Sequence, residues 1–237
     1  MREAIDGLAV SLRDVTFRWN ADDPDLLSIK QFDIPKGECL FIKGASGTGK
    51  TTLLNVLAGV LTPNEGSVRV LDAQFGQMQG AGRDRFRADH IGVIFQQFNL
   101  LPYLSLIDNV TLPCRFSGKR RASALGTASS VEESARRLLA HLGLDIDSLV
   151  GRSVRELSVG QQQRVAAARA LIGKPELIIA DEPTSSLDWD VRENFLRLLF
   201  DEVAAAESTL VFVSHDTSLE KFFKTSLNLS DINERVN

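Results

Sequence analysis

The run Gly44-Ala45-Ser46-Gly47-Thr48-Gly49-Lys50-Thr51 constrains this chain more than any other feature. It fits the pattern G-x-x-x-x-G-K-[ST], and its surroundings fit too. A short apolar run, Glu38–Lys43, reads as a strand before it, and TTLLNVLAG reads as a helix after it, closing at Gly59. Glycines let a backbone curl until several N–H groups point at one anion. A helix starting at Lys50 adds the positive end of its dipole at the same place. Lys50 then supplies a point charge for the β- and γ-phosphates of a nucleotide, and the Thr51 hydroxyl a ligand for Mg²⁺. Gly44 through Thr51, with Thr52 in the first helical turn, are therefore the candidate phosphate-binding residues.

The rest of the chain follows the same strand-and-helix logic. Residues 8–19 alternate apolar and polar as a half-buried strand does, and 26–34 read as another. Strand-like runs at 67–72 and 91–95 follow. From about 97 to 157 strands vanish and helical segments near 105–111 and 131–142 take over. Between them Ser117–Ser130 is small and polar and reads as a mobile loop, its Lys119-Arg120-Arg121 as a solvated face. A helix at 158–172, a strand at 176–180, helices at 189–206 and 217–224 and strands at 209–213 and 226–230 complete the pattern. Strands alternating with helices predict an α/β fold with a mostly parallel sheet.

One strand ends in a carboxylate pair, Leu177-Ile-Ile-Ala-Asp181-Glu182-Pro183. The carboxyl end of a strand is where ligand chemistry collects in α/β proteins. Asp181 is placed to hold Mg²⁺ through water, and Glu182 to polarise the water that attacks a γ-phosphate.

Four further motifs carry a resemblance to a family. Leu157-Ser158-Val159-Gly160-Gln161-Gln162-Gln163-Arg164 resembles the LSGGQ signature of ATP-binding-cassette (ABC) ATPases with its QQR tail. Local physics agrees, since Ser158 with Gln161 three residues on is a capping-box pattern that opens a helix. Gln96 resembles the Q-loop glutamine, a link between Mg²⁺ and the transporter contact. Ser185-Ser186-Leu187-Asp188 resembles the D-loop, and His215 the switch histidine that senses the γ-phosphate. Trp19 stands where the family has an aromatic residue on adenine, with Phe17 the competing choice. The resemblance spans residues 8–230. It is nearest to the ATPases of lipoprotein-release, macrolide-efflux and FtsE-like systems, through Ile94–Pro102 and the text GQQQRVAAARAL.

The resemblance implies a P-loop core at about 1–96 and 158–237, with an N-terminal antiparallel β portion and an inserted helical subdomain at about 97–157. It implies ATP and Mg²⁺ as ligands, with Ser158, Gly160, Gln161 and Asp188 facing ATP across a head-to-tail homodimer. Lys50, Gln96, Glu182 and His215 carry the hydrolysis, and Thr51, Gln96 and Asp181 the metal. A separate transmembrane permease is the implied partner, which places the chain on the cytoplasmic face of the membrane. Val159 departs from the usual Gly-Gly pair; a φ below zero there tolerates it, a φ above zero would strain it.

The bulk properties agree. Net charge is −4, which argues against a protein that coats nucleic acid. No run approaches a membrane span, and no apolar leader opens the sequence. Cys39 and Cys114 have no metal-ligand spacing and read as buried reduced thiols, and His90 and His141 match no motif and read as structural. Two rivals remain. One is a non-transport ABC ATPase acting on DNA or ribosomes; the other is an ATP-gated regulatory module of a cell-envelope complex.

Overall fold

A computed structural model of the chain describes residues 7–126, 128–149, 152–185, 187 and 189–234. In chain order the strands and helices begin with β1 (Leu8–Phe17), β2 (Leu27–Pro35), β3 (Cys39–Lys43), α1 (Lys50–Leu57), β4 (Glu65–Val70), β5 (Ala73–Gln74) and α2 (Gly80–His90). Next come β6 (Ile91–Ile94), α3 (Leu106–Phe116), α4 (Gly118–Leu125), α5 (Val131–His141), α6 (Val159–Leu171), β7 (Leu177–Asp181) and α7 (Trp189–Ala205). The chain closes with β8 (Thr209–Ser214), β9 (Thr225–Asn228) and α8 (Leu229–Ile232). Two compact units result, one of residues 1–87 with 209–237, the other of residues 88–208.

The first unit holds an antiparallel sheet in the order β2-β1-β4-β5, the β portion expected near the N-terminus. Its inner face is apolar because alternation puts Leu12, Phe32 and Val68 at one register level, and all three are buried. The unit also holds a parallel trio, β8 and β9 flanking β3. Phe41 of β3 pairs in register with Phe212 of β8, and Phe223 packs 5.1 Å from both rings. Each such ring taken from water contributes about 1.5–3 kcal/mol. That packing fixes the end of β3, where the glycine loop begins.

In the second unit β6 runs parallel to β7, Ile91 beside Leu177 and Ile94 beside Ala180. Helix α6 backs onto β6 so closely that a Cβ at Gly92 would stand 2.3 Å from the Ala170 carbonyl oxygen. Leu177, Ile178, Ile179 and Ala180 are all buried, which explains why β7 is apolar without alternation.

One expectation is overturned. The segment 117–130 contains a helix, α4 at Gly118–Leu125, where composition predicted a mobile loop. Ser117 caps it, accepting from the Arg120 N–H at 3.0 Å. Nor is the basic triplet a solvated face throughout, since Arg120 is 3% exposed. Its guanidinium donates to the carbonyls of Ile172 (2.8 Å), Ala170 (2.6 Å) and Arg169 (3.2 Å), the unpaired C-terminal carbonyls of α6. The negative end of that helix compensates the buried cation, although burial still lowers its pKa to about 10. Smaller differences concern boundaries. The first strand ends at Phe17, two residues before Trp19, and 217–222 is a 3₁₀ turn. Cys114 is buried but Cys39 only half so, and both thiols are free.

Candidate functional site

The first unit carries the glycine loop. Gly47 (φ 76°) and Gly49 (φ 97°) take left-handed conformations. Gly49 is the N-cap of α1, and no side chain caps the helix there. A Cβ at Gly49 would also stand 3.0 Å from Leu27 Cδ2, so conformation and space both select glycine. Thr48 Oγ1 donates to the Ala45 carbonyl at 2.8 Å and closes the turn. Lys50 is buried, and its ammonium donates to the carbonyls of Gly44 (2.7 Å) and Ala45 (2.9 Å). The cation is thus held over the loop whose amides it shares. Ala45, Ser46, Gly47 and Thr51 are exposed and Thr52 is buried. A backbone cradle, a helix start without a side-chain cap and one fixed cation form a fitting receptor for a polyphosphate.

The same unit holds two other predicted residues. Trp19 is 62% exposed, its ring edge-to-face with Phe17 at 5.0 Å. Phe17 is buried, so of the two only Trp19 offers a ring face to a ligand. His215 is exposed, immediately after β8. Ser214 Oγ accepts from the Asp216 N–H at 3.1 Å and shapes the turn around it.

The second unit carries the signature, the acidic pair and the Q-loop residue. The capping box forms as predicted. The Gln161 N–H donates to Ser158 Oγ at 3.3 Å, and the Ser158 N–H donates to Gln161 Oε1 at 2.9 Å. Val159 is the first residue of α6 and is not among the positive-φ residues. A β-branched residue is therefore accommodated without left-handed strain. Behind it Gly160 packs toward Leu187 and Val191. Of the D-loop residues, Ser186 and Asp188 lie outside the described residues.

Asp181 ends β7, and Glu182 follows with φ 46° and 9% exposure. A left-handed glutamate costs roughly 1–2 kcal/mol, and such strain gathers where a side chain must be aimed. The next turn is pinned from α6, because Gln163 Nε2 donates to the Pro183 carbonyl. Gln163 is fully buried, so the signature helix is tied to the turn that follows the acidic pair.

Gln96 lies two residues beyond β6 and is exposed. The loop after it is unusually determined. Phe98 (φ 57°) and Asn99 (φ 50°) are consecutive left-handed residues, and Arg169 of α6 donates to both carbonyls, at 2.5 and 2.6 Å. Farther on, the buried Asn109 amide accepts from the Leu101 N–H (2.8 Å) and donates to the carbonyls of Leu101, Leu104 and Ser105. Sequence reading singled out neither Arg169 nor Asn109. An arginine inside the alanine-rich GQQQRVAAARAL was the available signal, since a charge on an otherwise buried helix must find partners.

Two histidines outside the motifs lie against carboxylates. His141 Nδ1 lies 2.5 Å from Glu202, and His90 Nδ1 lies 3.2 Å from Glu176. Lys119 also reaches Glu176. Partial burial works against the Glu176 charge, but hydrogen bonds from His90 and Lys119 outweigh it and hold its pKa at about 2. Among the described residues no three acidic, His or Cys side chains gather as a ready-made metal cage. Thr51 in the first unit carries a hydroxyl and Asp181 in the second a carboxylate, each an oxygen donor of the hard kind that Mg²⁺ takes.

The family model for ABC transporters matches residues 27–185. The chain belongs to the ABC transporter family. It is 38% identical over 207 residues to the lipoprotein-releasing system ATP-binding protein LolD of Syntrophotalea carbinolica, covering 87% of each. It is 36% identical over 233 residues to the macrolide export ATP-binding/permease protein MacB of Burkholderia thailandensis. That match covers 96% of this chain but 34% of the relative, so the ABC chain spans about a third of that protein's length. A dimeric post-hydrolysis ATP-binding cassette, solved with ADP and phosphate, superposes with a TM-score of 0.81 at 34% identity, over 95% of this chain and 97% of the other. A second dimeric structure, of a bacterial ABC transporter cassette, gives 0.78 at 31% identity over 96% and 99%. As an ABC cassette the chain binds and hydrolyses ATP. No described helix is long and apolar enough to cross a membrane.

Proposed function

We propose that this cassette is the ATP-hydrolysing subunit of a membrane complex, and that two copies close head to tail over two ATPs to move a separate permease subunit. The observation that carries this reading is the self-capped start of α6. Ser158 and Gln161 satisfy each other's backbone N–H, so the helix end is organised by its own residues. That end, with Gly160 behind Val159, is free to face the γ-phosphate on a second copy. The dimeric cassettes among the solved relatives support the pairing. The lipoprotein-releasing and macrolide-export relatives support a membrane partner and export or lipoprotein release as the class of work.

The assigned roles follow from chemistry. Gly44 to Thr52 hold the phosphates, and Lys50 spans the β- and γ-groups. Trp19 offers its exposed face to adenine. Thr51, Gln96 and Asp181 would hold Mg²⁺, which would neutralise phosphate charge when bound. Glu182 accepts a hydrogen bond from the attacking water and aims it, and His215 steadies the γ-phosphate. Asp188 and the start of α6 complete the site from the second copy. ATP binds the closed dimer better than the open one, and that difference is what moves a partner.

We assign the partner surface to the segment that follows Gln96 in sequence. Tyr103, 78% exposed, stands at a groove of about 540 Å³ lined also by Leu106, Ile107, Arg136 and Leu149. Glu182→Gln, tagged and recovered from detergent-solubilised membranes with ATP, tests the proposal. A polytopic membrane protein in stoichiometric amount is expected. Recovery of soluble or nucleic-acid-associated partners alone would refute the transport reading.

A further inference from the structure

We propose that Arg169 is a positioning residue for Gln96, and that Arg120 is the strut that holds it in register. This inference rests on the role given to Gln96 above. Gln96 has an exposed side chain on a loop, which by itself does not fix where an amide points. The loop's shape comes from Phe98 and Asn99, two successive residues in a conformation that L side chains rarely adopt. Both carbonyls end on the single planar guanidinium of Arg169, at 2.5 and 2.6 Å. A planar fork with two donors fixes orientation as well as distance, which a lysine ammonium does not.

Arg169 is itself held from behind. Its carbonyl and that of Ala170 accept from the buried guanidinium of Arg120, and so does the Ile172 carbonyl. Gly173 lets the chain pass, since it is left-handed and a Cβ there would stand 2.5 Å from the Arg120 carbonyl oxygen. The path runs from α4 through the C-terminus of α6 to the loop after β6. The N-terminus of that same α6 is the signature, and its middle pins the turn after Glu182 through Gln163. A shift of α6 therefore carries signature, acidic turn and Gln96 loop together. The segment that composition marked as a loose connection, around Lys119–Arg121, anchors this bar.

A double-mutant cycle on steady-state ATPase of the purified full chain tests it. Gln96→Ala alone should lower kcat about 10-fold, and Arg169→Ala should do the same, as misplaced groups do. In the Arg169→Ala background Gln96→Ala should then cost less than about 2-fold, because the amide is already out of place. Arg169→Lys, which keeps the charge but not the fork, should behave like Arg169→Ala in the cycle and serves where the alanine variant does not fold. Arg120→Met should lower kcat without adding to the Arg169→Ala loss. Multiplicative costs of about 100-fold for the Gln96/Arg169 pair would overturn the clamp while leaving the ATPase site intact. A neutral Gln96→Ala would overturn the role of Gln96 and the clamp with it. An Arg120→Met chain with normal kcat would overturn the strut. A merely structural Arg169 would lower the melting temperature and leave the Gln96→Ala cost unchanged.

Discussion

The two units solve one problem by opposite means. The glycine loop of the first unit is shaped by backbone conformation, with Gly47 and Gly49 left-handed and α1 starting without a side-chain cap. The candidate site segments of the second unit are shaped by side chains that grip the backbone: Arg169 the carbonyls of Phe98 and Asn99, Gln163 that of Pro183, Ser158 and Gln161 each other's N–H. The difference teaches where each is brittle. A loop that wraps a polyphosphate must keep its amides turned inward and has no room for side chains. A framework tied together by its own side chains keeps those bonds and can shift as one piece.

The comparison breaks most sharply at Gly49. Gly49→Ala forces a left-handed alanine against Leu27, at about 1–2 kcal/mol of backbone strain. Titration with a fluorescent ATP analogue should show weakening of at least about 10-fold; an unchanged affinity would mean that the loop is not built by conformation. Ser158→Ala removes one half of the capping box and should cost about 1 kcal/mol in urea unfolding, with a matching fall in ATPase rate. If stability drops and turnover does not, the start of α6 is a cap only.

Val159→Gly should do less. The residue is helical without positive φ, so glycine relieves nothing and costs a few tenths of a kcal/mol in helix propensity. A large gain in ATPase rate would show that Val159 obstructs the site. The smallest effect belongs to Glu176, whose charge is held by His90 and Lys119. Its folded pKa near 2 lies below the ordinary 4.5, so its contribution is fully present above pH 4.5 and is lost as the pH falls toward 2. Glu176→Gln should lower the urea midpoint slightly at neutral pH, and the gap should close across that window. Solvent screens a group this exposed, which keeps the effect small. A gap constant down to pH 2 would place the effect in packing.

Local signals made much of this legible. A strand, a glycine loop and a helix in succession, an apolar strand ending in Asp181-Glu182, and Ser158 with Gln161 each owe their form to near neighbours in sequence, and each is present as read. What stayed hidden depends on distant partners. Gly118–Leu125 is poor in apolar residues, so it reads as a loop until Arg120 is seen to end on the carbonyls of α6, some 50 residues away. The left-handed Glu182 and the Phe98–Asn99 pair leave no trace in composition, because tertiary contacts impose them.

The central claim is that ATP joins two copies of this chain through the start of α6. Sedimentation velocity of Glu182→Gln, with and without MgATP, tests it most directly. The account predicts a monomer without nucleotide, a dimer with ATP, and loss of that dimer when Ser158→Arg is added. A Glu182→Gln chain that binds ATP and stays monomeric at tens of micromolar, with a bound-nucleotide ratio near one per chain, would contradict it.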